Sequence, residues 1–80
     1  DEIVLYKEED YALDEIDIRI NKITSINEKE DTWKADMTFK KGSVKKDVDV
    51  NSGGSFEFEG YKITYVDSTD VNVLLKVEKR

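Results

Sequence analysis

The chain has 80 residues, 40% of them charged, a formal net charge of −6, and no cysteine, histidine or proline. That length houses one hydrophobic core, and the missing thiols and imidazoles exclude disulfides, thiolate chemistry, the commonest general base and the commonest transition-metal ligand. The acidic balance argues against a nucleic-acid backbone or an anionic membrane surface as partner, and no apolar run has the length of a membrane-spanning helix.

The chain opens directly on strand-like sequence, with no visible signal peptide, as a mature product or an excised domain would. Glu2 to Tyr6 (EIVLY) is a short apolar run with a β-branched bias and predicts a first strand. Lys7 to Asp10 is a charged connection. Tyr11 to Leu13 predicts a second short strand, with Asp14-Glu15 at the turn that follows. Ile16 to Ile26 (IDIRINKITSI) fits two periods. Ile16, Ile18 and Ile20 alternate as in a strand, whereas Leu13, Ile16, Ile20 and Ile23 fit an amphipathic helix. Five isoleucines and a threonine favour the strand, and a bulge near Asn21-Lys22 accounts for the change of phase at Ile23.

Asn27 to Thr32 is polar and predicts an exposed loop. Trp33, Ala35, Met37 and Phe39 alternate with Lys34, Asp36 and Thr38, which predicts a half-buried strand over Thr32 to Lys40. Lys41-Gly42 signals a turn, and Val44, Val48 and Val50 form the return strand. Asn51 to Gly54 (NSGG) is a flexible loop.

The strongest pattern is Ser55 to Arg80. A two-residue loop at Glu59-Gly60 sets Phe58 opposite Tyr61 and Phe56 opposite Ile63 on one apolar face. Glu57 and Lys62 then oppose each other on the other face, and Gly60 supplies a positive φ. After a loop at Asp67 to Asp70, the closing strand alternates Val71, Val73, Leu75 and Val77, with Leu74 pointing the other way. Being the chain's ends, the first and closing strands are the expected sheet edges. The expected core is Ile16, Ile18, Ile20, Trp33, Met37, Phe39, Phe56, Phe58, Ile63 and Val73.

The chain also echoes itself. At an offset of 45 residues Tyr11 falls on Phe56, Leu13 on Phe58, Ile16 on Tyr61, Ile18 on Ile63, Ile20 on Tyr65 and Ile26 on Val71. Each half presents one apolar face. The expected fold is therefore all-β: a small antiparallel sandwich or closed barrel of roughly six to eight short strands.

Chemistry finds few footholds. The serines have no histidine to activate them, and no Ser-x-x-Lys stands in a helical context. No cofactor is expected. Calcium is the metal that oxygen ligands suit best, with Asp67, Asp70 and Asn72 as its candidate ligands in one loop and Glu8, Glu9 and Asp10 as a second cluster. Neither has EF-hand spacing, and Asp and Asn are ordinary turn residues.

The run from Gly54 to Ile63 (GSFEFEGYKI), an Asp-containing loop and then VNVLLKV together resemble repeats in β-sandwich modules of microbial surface-layer proteins, and other extracytoplasmic modules of lipoproteins and cell-envelope proteins. The resemblance covers the closing third of the chain. It implies a structural or binding module outside the cytoplasm and brings no catalytic residues with it. The expectation is a non-enzymatic module that presents a surface to another protein chain, with Leu74, Val66 and Trp33 as contact residues. The alternative is a small-ligand or oligosaccharide-binding barrel that stacks its ligand on Tyr61 and Tyr65.

Overall fold

A computed structural model describes residues 2–80. Among these residues eight strands make up two antiparallel sheets: β1 (Glu2–Tyr6), β2 (Asp10–Leu13), β3 (Ile16–Asn27), β4 (Thr32–Lys41), β5 (Val44–Asn51), β6 (Ser55–Phe58), β7 (Tyr61–Ser68) and β8 (Asn72–Lys79). One sheet runs β1-β8-β7-β6 and the other β2-β3-β4-β5. The ambiguous isoleucine segment is strand throughout. Its bulge falls between Ile20 and Lys22 and returns Ile23 to the margin of the core.

The two sheets press their apolar faces together. Ile16, Ile18, Ile20, Met37 and Phe39 come from one sheet, and Phe58, Ile63, Val73, Leu75 and Val77 from the other. Phe39 joins the layers, with its ring edge-on to Phe56 at 5.1 Å and tilted against Phe58 at 5.8 Å. Such aromatic contacts add to the area they bury. The arrangement is a sandwich, not a closed barrel.

The internal echo extends much further than its side chains suggested. The two-residue hairpins Leu13/Ile16 and Phe58/Tyr61 correspond at the offset of 45, and so do the bulges after Ile20 and after Tyr65. The crossovers between sheets correspond as well. Glu8 donates its backbone N–H to the Ile20 carbonyl (2.8 Å), and Gly53 does the same to Tyr65 (2.6 Å). Glu9 bonds back to Tyr6 as Gly54 does to Asn51. Even the positive φ recurs, 68° at Glu8 and 88° at Gly53. Beyond the bulge the offset shortens, because the β3–β4 hairpin extends further past it than the β7–β8 hairpin does, with strands of 12 and 10 residues against 8 and 8. Trp33 then corresponds to Val71, for Ser52 donates to the Trp33 carbonyl as Lys7 does to that of Val71. The expected pairing of Ile26 with Val71 is corrected on that account.

β1 through β4 and β5 through β8 thus follow one plan, and each half gives its first strand to the other half's sheet. β1 borders β8, and β5 borders β4. This exchange corrects the expectation that the closing strand is an edge: β8 lies between β1 and β7. The sheet edges are β1, β6, β2 and β5.

Two expected core residues are only half-buried. Trp33 stands near the start of β4 at the end of the sandwich, its indole N–H donated to Asp31 Oδ1 at 2.9 Å. Phe56 lies on edge strand β6 beneath the Lys46 ammonium, 5.7 Å from its ring centroid.

Candidate protein-interaction face

Strand alternation gives each sheet an outer face. Across the sheet made by β2 to β5 that face is polar. It carries Asp17, Arg19 and Asn21 on β3, Asp36, Thr38 and Lys40 on β4, and Lys45, Asp47 and Asp49 on β5. Asn21 donates to Thr38 Oγ1 (2.9 Å), and the Thr38 hydroxyl donates to Asp47 Oδ1 (2.7 Å). Arg19 meets Asp10 at 3.1 Å. Several of these groups thus satisfy one another, and the shallow depression they line sets Asp10, Asp17, Arg19, Lys40 and Lys45 beside the uncharged Asn21, Thr38 and Ile18.

The outer face of the other sheet differs. Val4 on β1 pairs with Leu74 on β8, and Leu74 pairs in turn with Asp67 on β7. At the bulge two residues oppose one, so Val66 joins Asp67 beside Leu74. Tyr6 continues the apolar surface along β1. Val4 is 50% exposed, Tyr6 51% and Val66 40%. Leu74 lies half-covered among them.

The counterparts of these four residues in the other half are Asp49 for Val4, Asn51 for Tyr6, Asn21 for Val66 and Asp36 for Leu74. Each of these four positions is apolar on one outer face and polar on the other, although the backbone plan is the same. The apolar cluster is therefore no requirement of the fold.

Leu74 and Val66, expected as contact residues, are thus brought together. Trp33 is not brought to them. It sits in the other sheet, over a hollow that it shares with Ile23, Ser25, Glu28, Asp31 and Asp70. Val4 and Tyr6 were missed as members of the face. Their signal was the unbroken apolar run of EIVLY, which has no polar alternation and so is apolar on both sides.

The stacking pair is corrected. Tyr61 is 4% exposed and Tyr65 0%, so neither ring offers a surface to a ligand. Both point inward because they share parity with Ile63. Among the described residues the Tyr65 hydroxyl is the one buried side-chain polar atom without a hydrogen-bond partner. Burial pushes its phenol above the ordinary value of 10.0; the Ser68 hydroxyl, outside hydrogen-bond geometry, opposes the shift, and the charge of Asp67 adds to it.

The calcium candidates do not converge. Asp67 Oδ1 accepts the Ser68 N–H (2.8 Å), and Asn72 Oδ1 accepts the Thr69 hydroxyl (3.1 Å). Thr69 Oγ1 in turn accepts the N–H groups of Val71 and Asn72. Asp70 lines the hollow beside Trp33 instead. The loop is thus closed on itself by turn chemistry, and among the described residues no three acidic side chains come together as metal ligands.

No protein-family model, curated protein or solved structure matches the chain.

Proposed function

We propose that the chain is a non-enzymatic structural or protein-interaction module, and that it presents the outer face of β7, β8 and β1 to another protein chain. The observation that carries this reading is the contrast between corresponding positions. Four of them hold Val4, Tyr6, Val66 and Leu74 on one face and Asp49, Asn51, Asn21 and Asp36 on the other. Exposed apolar side chains clustered within a polar rim mark binding surfaces. Here the rim includes Glu2, Lys76 and Asp67. What supports a non-enzymatic role is that the carboxylates and ammonium groups are spread over solvent-facing positions, where the ion pairs they form, such as Arg19 with Asp10 and Arg80 with Glu57, are exposed. The resemblance of the closing third to surface-layer modules supports a place in a secreted or cell-envelope protein.

A photoreactive residue introduced at position 74, and separately at position 36, tests the reading in the cells that make the protein. Adducts with polypeptide are expected from position 74 and not from its counterpart. Equal labelling from both positions, or none from position 74, overturns it. Repeated turnover of any substrate by the purified chain overturns the non-enzymatic class.

A further inference from the structure

The apolar row Val66-Leu74-Val4 runs to the open edge of its sheet and stops there. We infer that the partner at this edge is a second copy of the chain, joined β1 to β1 in antiparallel register about Val4. The inference rests on the reading above and names its partner.

Three observations carry it. The first is the edge itself. Lys7 donates its N–H inward, to Val71 on the β8 side. Backbone direction alternates along a strand, so Ile3 and Leu5 also face β8, and Glu2 and Val4 turn their N–H and C=O groups outward, as Tyr6 does its N–H, while the Tyr6 carbonyl already accepts the Glu9 N–H at 3.3 Å. An antiparallel mate centred on Val4 meets these outward groups in register.

The second is charge complementarity. In that register Val4 opposes the mate's Val4, Ile3 opposes Leu5, and Glu2 opposes Tyr6. All five residues of β1 are paired and no like charges meet. Inner-face side chains oppose inner-face side chains, and the outer row becomes continuous from one Val66 to the other. β5, which corresponds to β1, does not allow this. Its edge carries Lys45, Lys46, Asp47 and Asp49, and self-pairing about Asp47, Val48 or Asp49 sets carboxylate against carboxylate.

The third is that the remaining edges are short. β2 and β6 have 4 residues each. Short or charged edges are the usual protection against strand addition. β1 has neither a lysine nor a proline, and its one charge, Glu2, stands at its end.

Sedimentation of the intact chain over a range of concentrations is expected to show a monomer–dimer equilibrium. Val4→Lys, at an exposed position outside the core, is expected to keep the β-sheet circular dichroism and to weaken dimerisation about tenfold or more. Val4→Cys is expected to form a disulfide-linked dimer on mild oxidation. Glu2→Cys and Tyr6→Cys are expected to link when mixed, whereas Glu2→Cys alone is not. A chain that stays monomeric at millimolar concentration, or a Val4→Lys variant that dimerises as the parent does, overturns the pairing. So does a dimer whose Val4→Cys form fails to link. If the pairing fails while position 74 still labels a different polypeptide, only the self-association is wrong. If position 74 labels nothing, the reading it rests on falls too.

Discussion

Two residues carry local costs that a single substitution removes. Glu59 has φ 44° in the β6–β7 turn, next to Gly60 at 84°. Positive φ at both central positions suits Asn-Gly, and an ordinary side chain there costs about 1–2 kcal/mol. Glu59→Asn is therefore expected to raise the unfolding free energy by about 0.5–1 kcal/mol, measurable by urea titration. No change would mean that the turn relaxes without strain. Tyr65 carries the other local cost, a buried hydroxyl with no partner. Tyr65→Phe keeps the ring and removes that oxygen, so a gain of about 1 kcal/mol is expected. The pH dependence has a definite sign. Because the phenol titrates higher in the folded state than its ordinary 10.0, the folded state holds the proton more tightly. The associated stability is fully present below pH 10.0 and is lost as pH rises through the raised value. Alkaline unfolding should therefore begin at higher pH in Tyr65→Phe than in the parent, and coincident curves would remove Tyr65 from that transition.

At the scale of the strands, alternation was legible because a sheet with one buried face needs it. Trp33 to Phe39 and Phe56 to Ile63 declared their inward sides directly. The isoleucine segment was legible for a different reason: five isoleucines and a threonine, all β-branched, crowd a helix and suit a pleat. Sheet order was not legible, because it depends on where the chain crosses between sheets. That crossing is set at Glu8 and Gly53 by single backbone hydrogen bonds to Ile20 and Tyr65. Nothing in the composition of KEED or NSGG announces that they do the same work. The candidate face was half legible. Leu74 breaks the parity of its strand and so stood out, whereas Val4 and Tyr6 became meaningful only beside Asp49 and Asn51. Phe58 tests the packing between the layers. It is 4% exposed, and its ring meets Phe39 of the opposite sheet. Phe58→Ala is expected to cost about 3–5 kcal/mol, enough to unfold much of so small a domain. A loss below about 1 kcal/mol would mean that the ring is not part of the inter-sheet contact.

The exchange of first strands decides how the whole molecule holds together. Without β1, the sheet of β6, β7 and β8 loses Leu5 from its core and gains a bare edge along β8. Without the second half, β2, β3 and β4 lose β5 and three of the four strands of the layer that covers Ile16, Ile18 and Phe39. Neither half closes a core by itself, since each contributes one strand to the sheet it does not otherwise build. Unfolding is therefore expected as one cooperative transition rather than two. Cutting the chain within the β4–β5 turn, after residue 43, separates the halves while leaving every strand intact. Each fragment alone is expected to lack stable β-sheet circular dichroism. Mixing them is expected to restore it, together with the fluorescence of Trp33 in its half-buried site. A fragment that unfolds alone, cooperatively and at the midpoint of the whole chain, would show that the exchanged strands are dispensable and that each half is a folding unit in its own right.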